Sequence, residues 1–354
     1  MHILKKKEKN MAINYKCPGC GDAMVFKEGT DNLVCESCGT EIGVQEFLKD
    51  REDAKDEIIT DNNKEDTYKV IKCSTCGAEL MTDEHTSSTF CAFCGNPTLI
   101  EDRLSGEASP AYVIPFKIKK DKVTEEFRSW AGKGFFTPSG FRRESTIEKI
   151  SGIYVPFWLY DFDTRYSASL TCTVVRHSSD KEYNYTHTDW YEVHRDLSGD
   201  YKKIPADASE KMDDDIMDML EPFNYMALTP FEMPYLSGFL SEKYNFDAHE
   251  LLGRAKERVS EFLDEELNKT LVKYSGREIK YRDKQIKQTD VKYAVLPVWI
   301  LNYRYHNNNY TFAMNGQTGK IVGKRPISKG KAAATFGVVT AVVFTILTVI
   351  GGLL

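Results

Sequence analysis

The chain has 354 residues, 41% of them hydrophobic and 12% aromatic, and a formal net charge of −6. That length allows two or three domains, and a composition with 19 Tyr and 19 Phe favours a β-rich fold, because flat rings pack well on a pleated surface. The acidic balance excludes a general attraction for nucleic acid, whose binding rests on Lys and Arg neutralising phosphates.

The first residues are charged and hold no apolar run of signal length, so the nine cysteines are expected to meet a reducing compartment, where such thiols bind metal. Eight of them form C-x-x-C pairs. Cys17 and Cys20 are followed by Cys35 and Cys38, and Cys73 and Cys76 by Cys91 and Cys94. The gap between the pairs is the same in both quartets, Cys20 to Cys35 and Cys76 to Cys91, and a Gly follows each second cysteine (Gly21, Gly39, Gly77, Gly95). The second quartet thus repeats the first, position for position from Cys17 and Cys73 onward. Zn²⁺ takes four thiolates in a tetrahedron, and a two-residue spacer makes a knuckle whose amides face the sulfurs. A Gly after the knuckle accepts the positive φ that closes the turn. A unit of about 25 residues buries too little apolar surface to fold alone, so bound metal supplies its folding energy. The pattern predicts two zinc ribbons with two structural Zn²⁺ ions. Iron–sulfur or redox chemistry is the weaker alternative, because a redox pair needs no second pair at fixed spacing. His85 falls inside the second quartet, which is already complete, and reads as a surface residue.

Both ribbons are acidic. Residues 16–45 carry Lys16 and Lys27 against Asp22, Glu28, Asp31, Glu36 and Glu41. Residues 72–102 carry Lys72 against Glu79, Asp83, Glu84, Glu101 and Asp102. A phosphate-binding ribbon presents a basic face, so a protein partner fits these better than nucleic acid. Between them, residues 50–66 hold eight acids and three bases and read as a solvated linker or a short exposed helix.

From Ala111 to about Arg325 the sequence reads as a mixed, β-rich domain. Strands are predicted at Tyr112–Ile118, Tyr154–Phe162, Ser167–Val175, Tyr183–Tyr191, Val291–Tyr303 and Tyr310–Met314, with a late hairpin at Thr318-Gly319 before Ile321-Val322. Helices are predicted at Lys122–Ala131, at Ala208–Leu220 with Asp207 as N-cap, and at Asp247–Lys273 with Leu251, Leu252, Ala255, Val259, Phe262, Leu263 and Leu267 at helical spacing. Tyr154-Val-Pro-Phe-Trp-Leu-Tyr160 echoes Val295-Leu-Pro-Val-Trp-Ile-Leu301, with Pro156 matching Pro297 and Trp158 matching Trp299 at one constant offset. Two related halves explain the echo; chance likeness of two apolar strands is the alternative. No phosphate loop, G-x-S-x-G or H-E-x-x-H is present, so no enzyme is read here. His177, His187 and His194 are too loosely spaced to predict convergence, Asp213–Asp215 read as a solvated helix start, and Cys172 as a small buried hydrophobe.

Ala332–Leu354 is 23 residues without a charge, about 34 Å as a helix and enough to cross a bilayer core. Lys320, Lys324, Arg325, Lys329 and Lys331 precede it with no acid among them, which places the N-terminal bulk in the cytoplasm. The sequence thus predicts an α+β protein in five parts: residues 1–49, an N-terminal extension and first ribbon; 50–66, the linker; 67–104, the second ribbon; 105–326, the mixed domain; and 327–354, a basic flank and single transmembrane helix in the cytoplasmic membrane.

The double cysteine array, the Pro-Ala-Tyr-Val-Ile-Pro-Phe run at 110–116, the Val-Pro-Phe-Trp and Leu-Pro-Val-Trp strands, Asn315-Gly-Gln-Thr-Gly-Lys320 and the apolar tail together resemble the YdjG-like family of bacterial zinc-ribbon membrane proteins, a group also described as TFIIB-type zinc-ribbon proteins. The resemblance covers nearly the whole chain. It implies that the eight ribbon cysteines are metal ligands. It also implies a scaffold role in a phage-shock type envelope-stress system, holding a PspA-like protein and other small membrane proteins at the membrane. A helicase relationship would require nucleotide-binding motifs, which the sequence lacks. The alternative function is binding to nucleic acid or to the transcription or replication machinery through the ribbons.

Overall fold

The computed structural model describes residues 14–52, 68–73, 79–83, 86–90, 97–100, 109–306 and 308–351. Most of the 50–66 linker and His85 lie outside them. Near the N-terminus, β1 (Met24–Phe26), β2 (Asn32–Cys35) and β3 (Glu41–Gly43) form an antiparallel meander followed by α1 (Val44–Glu52). Next come β4 (Tyr68–Lys72) and β5 (Glu79–Asp83), an antiparallel pair, and then β6 (Thr86–Phe90) and β7 (Pro97–Leu99). The larger region follows with β8 (Tyr112–Val113), α2 (Lys120–Gly132), α3 (Glu144–Ile147), β9 (Ser151–Ser179), β10 (Asn184–Asp207), α4 (Asp214–Leu220), β11 (Thr229–Pro230), β12 (Leu240–Glu242), α5 (Ala248–Lys269), β13 (Gly276–Tyr305), β14 (Asn308–Asn315), β15 (Ile321–Gly323) and α6 (Lys329–Gly351). The protein is a mixed α+β structure with a β-rich core. Its main sheet runs β11-β8-β13-β9-β12-β6-β7, with β10 beside β9, and β14 and β15 beside β13.

The two Pro-x-Trp segments meet at the centre of this sheet. They pair antiparallel, with Val155 opposite Leu296, Tyr154 opposite Pro297 and Pro156 opposite Val295. Val155 and Leu296 are also equivalent positions in the sequence echo, so the local twofold that relates the segments passes between them. The flanking contacts obey it. β12 adds parallel to β9 with Leu240 opposite Ile153, and β8 adds parallel to β13 with Tyr112 opposite Ala294, the counterpart of Ile153 in the echo. Asp207 lies opposite Phe157, and Asn315 opposite Val298. Each short strand precedes a helix by the same interval, Tyr112 to Lys120 and Leu240 to Ala248. The tryptophans repeat one hydrogen bond. Trp158 Nε1 donates to the Phe246 carbonyl at 2.9 Å and Trp299 Nε1 to the Ile118 carbonyl at 3.0 Å, each two residues before a helix. Each long strand therefore ties down the strand–helix junction that pairs beside it.

Along β9 the environment changes in three steps. Between Tyr154 and Tyr160 both faces are covered. One face carries Tyr154, which packs with Phe116, Phe127, Trp299 and the N-terminal meander. The other carries Val155, Phe157 and Leu159, which pack under Met217, Leu220 and Phe223. From Phe162 to Cys172 alternate residues are buried beneath α5, and the intervening ones face solvent. Beyond Thr173, where β13 begins its pairing, the β9–β10 hairpin projects alone and is exposed. At about 3.3 Å per residue the 29-residue β9 spans roughly 95 Å. The result is a thick base and a long arm with one covered face.

Several predicted bounds change. Tyr154–Phe162 and Ser167–Val175 are one strand, because Asp163 and Arg165 lie on the arm's open face while Thr164 and Tyr166 are buried. The strand expected over Tyr112–Ile118 is confined to Tyr112–Val113, ahead of Pro115, which has no N–H to donate. Asp207 is not an N-cap but the buried last residue of β10. The helix starts at Asp214, capped by Asp213 Oδ1, which accepts from the Ile216 amide at 3.1 Å. The helix expected over Asp247–Lys273 runs from Ala248 to Lys269, with Asp247 as its N-cap in a reciprocal capping box with Glu250.

Candidate metal centre

Two knuckles of the meander region converge. Cys17 and Cys20 leave the turn before β1, and Cys35 and Cys38 the turn after β2. Gly21 and Gly39 adopt φ of 80° and 75°, a left-handed turn that a Cβ would strain. The turns close through backbone bonds, Gly21 N to Cys17 O at 2.9 Å and Gly39 N to Cys35 O at 2.8 Å. The four sulfurs lie within 4.8 Å of one another, with Cys17 3.6 Å from Cys38 and Cys20 3.5 Å from Cys35. A tetrahedron with Zn–S of 2.3 Å has an S–S edge of about 3.8 Å, so the cluster has the dimensions for one Zn²⁺.

The local polar groups favour thiolates. The Thr40 hydroxyl, 3.1 Å from Cys38 Sγ, and the Thr40 amide hold the Cys38 thiol down at about 6. The Cys20 amide draws Cys17 below its ordinary value, with help from the Gly19 amide at 3.4 Å. The Asp22 amide also pulls Cys20 down, but the thiols of Cys35 and Cys38 outweigh it and push Cys20 up to about 12. Four thiols packed this closely do not all ionise unaided; a divalent cation among them lets them do so.

The second quartet is placed differently. Cys73 is buried just past the end of β4, whereas Cys76, Cys91 and Cys94 lie outside the described residues. Among the described residues there is one four-cysteine cluster, where two were expected.

Over 328 residues the chain is 42% identical to the protein named Uncharacterized protein YdjG of Bacillus subtilis (strain 168), a match that spans 92% of this chain and 94% of that one. The chain belongs to the YdjG family. No family model and no solved structure matches it.

In this YdjG-family protein the cysteine cluster is built into the base. Phe26 packs edge-on against Tyr235 at 5.2 Å, its amide donates to the Ser237 carbonyl at 2.9 Å, and Ser237 Oγ donates to the Met24 carbonyl at 2.7 Å. Tyr15, Cys17, Met24, Leu33 and Phe47 share one apolar cluster with Phe116, Phe127, Phe141 and Trp299. Strands β6 and β7 likewise join the main sheet, with Ser241 opposite Ser88 and Ser88 Oγ donating to the Phe239 carbonyl at 2.6 Å.

The same cluster reaches the seat of α6. Ser328 N donates to Phe136 O at 2.8 Å, Lys331 Nζ to Thr137 O at 2.7 Å, and Arg325 Nη1 to Trp130 O at 2.9 Å, with the Arg325 guanidinium 5.3 Å from the Trp130 ring centre. Past this seat α6 is an exposed apolar helix, with Phe336 74% exposed and Leu347 63% exposed. It is long and apolar enough to cross a membrane, and Thr335, Thr340, Thr345 and Thr348 each bond a carbonyl one turn back, which satisfies their hydroxyls within the helix.

The histidines do not converge. His177 Nδ1 lies 3.2 Å from Thr186 Oγ1, His187 Nε2 lies 3.1 Å from Ser178 Oγ and His194 Nδ1 lies 2.8 Å from Ser169 Oγ, each bonding across the β9–β10 pair. Cys172 is fully buried under α5. Sequence reasoning missed one charged network. Arg254 binds Asp207 at 2.8 Å, Asp214 at 3.1 Å and Asp218 at 2.8 Å, while Arg258 binds Glu221 with both guanidinium nitrogens at 3.0 and 2.5 Å. The available signal was two arginines four residues apart, beside the apolar stripe of α5.

Proposed function

We propose that this protein is a membrane-anchored, non-enzymatic scaffold that recruits a cytoplasmic protein to the bilayer. Cys17, Cys20, Cys35 and Cys38 hold one structural Zn²⁺, and Cys73, Cys76, Cys91 and Cys94, with the same spacing, hold a second. Four sulfurs complete each tetrahedron and leave no position for a substrate. The cations before α6 keep the N-terminal bulk in the cytoplasm. The partner is a PspA-like envelope-stress protein, as the family resemblance implies, and the acidic first ribbon suits a protein surface better than phosphate.

The observation that carries the reading is the continuous apolar cluster from the cysteine site to the residues that seat α6. A partner bound at the ribbon would be held beside the bilayer, and tethering raises local concentration, to roughly millimolar for short flexible links. The test is in-cell crosslinking of the full-length protein, followed by solubilisation and mass spectrometry. Recovery of a PspA-like coiled-coil protein, lost when one cysteine pair is replaced by Ser, supports the scaffold. Recovery of RNA polymerase subunits or nucleic acid would replace it with the nucleic-acid reading.

A further inference from the structure

We propose that the loop at 133–138 is a second membrane contact, which lays Phe135 into the headgroup region of an anionic bilayer beside the first turn of α6. The inference rests on the reading of α6 as a transmembrane helix. The loop is fixed against the root of that helix by the Phe136–Ser328 and Thr137–Lys331 bonds. Gly134 is packed so tightly that a Cβ there would sit 2.1 Å from Thr137 Oγ1 and 3.2 Å from Arg325 Cδ. Held this way, the loop leaves Phe135 74% exposed, touching Phe136 edge-on at 5.1 Å between ring centres.

The level is set by α6. Ser328 is four residues before Ala332, where the charge-free run begins, a rise of about 6 Å. The loop bonded to Ser328 and Lys331 is therefore within about one helical turn of the apolar run, in the zone where apolar side chains of interfacial segments settle. Ile327, on the segment entering α6 and next to Ser328, is 61% exposed. The charges complement an anionic surface. Residues 132–143 carry Lys133, Arg142 and Arg143, residues 320–331 carry Lys320, Lys324, Arg325, Lys329 and Lys331, and neither segment contains an acid. Arg325 and Lys331 are engaged in seating the helix, while Lys133, Lys324 and Lys329 are exposed. An exposed phenylalanine among exposed cations, rigidly held beside a membrane helix, fits a phospholipid headgroup layer.

The test uses full-length protein reconstituted into phosphatidylcholine vesicles with and without phosphatidylglycerol, comparing wild type with Phe135→Trp. Flotation with the vesicles tests the anchor, and failure to float overturns both the anchor and this proposal. In protein that floats, the emission added by Phe135→Trp is expected to be blue-shifted and to lose most of its intensity to lipids brominated near the headgroup. Adding Lys133→Gln and Lys329→Gln should weaken that quenching in the anionic vesicles. Added emission that is red, iodide-quenched and indifferent to brominated lipid would overturn the loop contact while leaving the anchor intact. Quenching that depends instead on a second, labelled copy of the protein would also overturn it, by giving Phe135 to a protein interface.

Discussion

Strand β9 passes through two regions that share a backbone but not a physical basis. In the base, Tyr154 to Tyr160 is sandwiched between the ribbon-side cluster and the α4 side, and neighbouring residues are buried regardless of parity. In the arm, Phe162 to Cys172 is covered by α5 on one face alone, and Ser167, Ser169 and Thr171 line the other. The base resembles a parallel-sheet interior in its covering, and its sequence is a nearly continuous apolar run. The arm resembles a half-solvated antiparallel sheet, and its sequence alternates. It follows that the four-cysteine cluster belongs to the base and not to the arm. The cysteine meander contributes to the first apolar cluster and nothing to the cluster beneath α5.

Disrupting the four-cysteine cluster should perturb the base most. Structural zinc contributes on the order of 10 kcal/mol to small ribbon units, so Cys17→Ser with Cys35→Ser should unfold the meander and uncover Phe26 and Phe116. Hydrogen exchange should then speed up at 154–160 and stay unchanged at 164–172. Equal loss of protection in both segments would show that base and arm open as one unit. Smaller single truncations should separate the regions from either side. Trp299→Ala removes a ring that is 2% exposed, packed on Phe116 at 5.0 Å and bonded to Ile118, at a cost of about 3–5 kcal/mol in the base. Leu263→Ala, beneath the arm, should cost about 2–4 kcal/mol and raise exchange at 164–172 while bound zinc is retained. Denaturant melts read by zinc release and by exchange would distinguish the two.

How much of this was legible in the sequence follows from the same contrast. The convergence of Cys17, Cys20, Cys35 and Cys38 was legible in their spacing, because a tetrahedral site dictates how four ligands are spaced without reference to the rest of the fold. The helical stripe of α5 was visible because it is local. The Pro-x-Trp echo was visible too, but not its use. Trp158 and Trp299 tie down junctions 88 and 181 residues away in sequence, and such pairings leave no local trace. The arm was under-read for a related reason. Segments such as 192–207 and 276–290 are rich in charged residues because one or both of their faces meet solvent, and they hold strand geometry through long ladders to β9 and not through apolar content. The merging of the first ribbon into the base was also hidden, since Phe26 and Met24 look like the small core of an independent ribbon until Tyr235 and Ser237 are placed against them.

The subtlest expected effect lies at Asp207, where β10 leaves the sheet. Burial pushes this carboxyl up to about 7, against the pull of Arg254 at 2.8 Å, and its Oδ2 is buried without a hydrogen-bond partner. A carboxyl whose pKa is higher in the folded than in the unfolded chain makes the folded state bind the extra proton. Stability should therefore fall as pH rises from about 4 to about 7, by at most about 1.4 kcal/mol per unit, and this contribution should level off above the folded pKa. Asp207→Asn should flatten that slope, because an amide does not titrate and Arg254 keeps Asp214 and Asp218. The protein already holds an Asn at the place related by the local twofold. Asn315 is buried, donates to the Leu220 carbonyl at 3.1 Å and accepts from the Gln317 and Thr318 amides at 2.9 Å. Urea midpoints at about pH 5 and about pH 7 decide the matter. A wild type more stable at the lower pH, with the gap narrowed in Asp207→Asn, fits a buried carboxyl that resists ionisation. A wild type more stable at the higher pH would mean that the Arg254 pair keeps Asp207 charged, and that desolvation at the base is weaker than its burial implies.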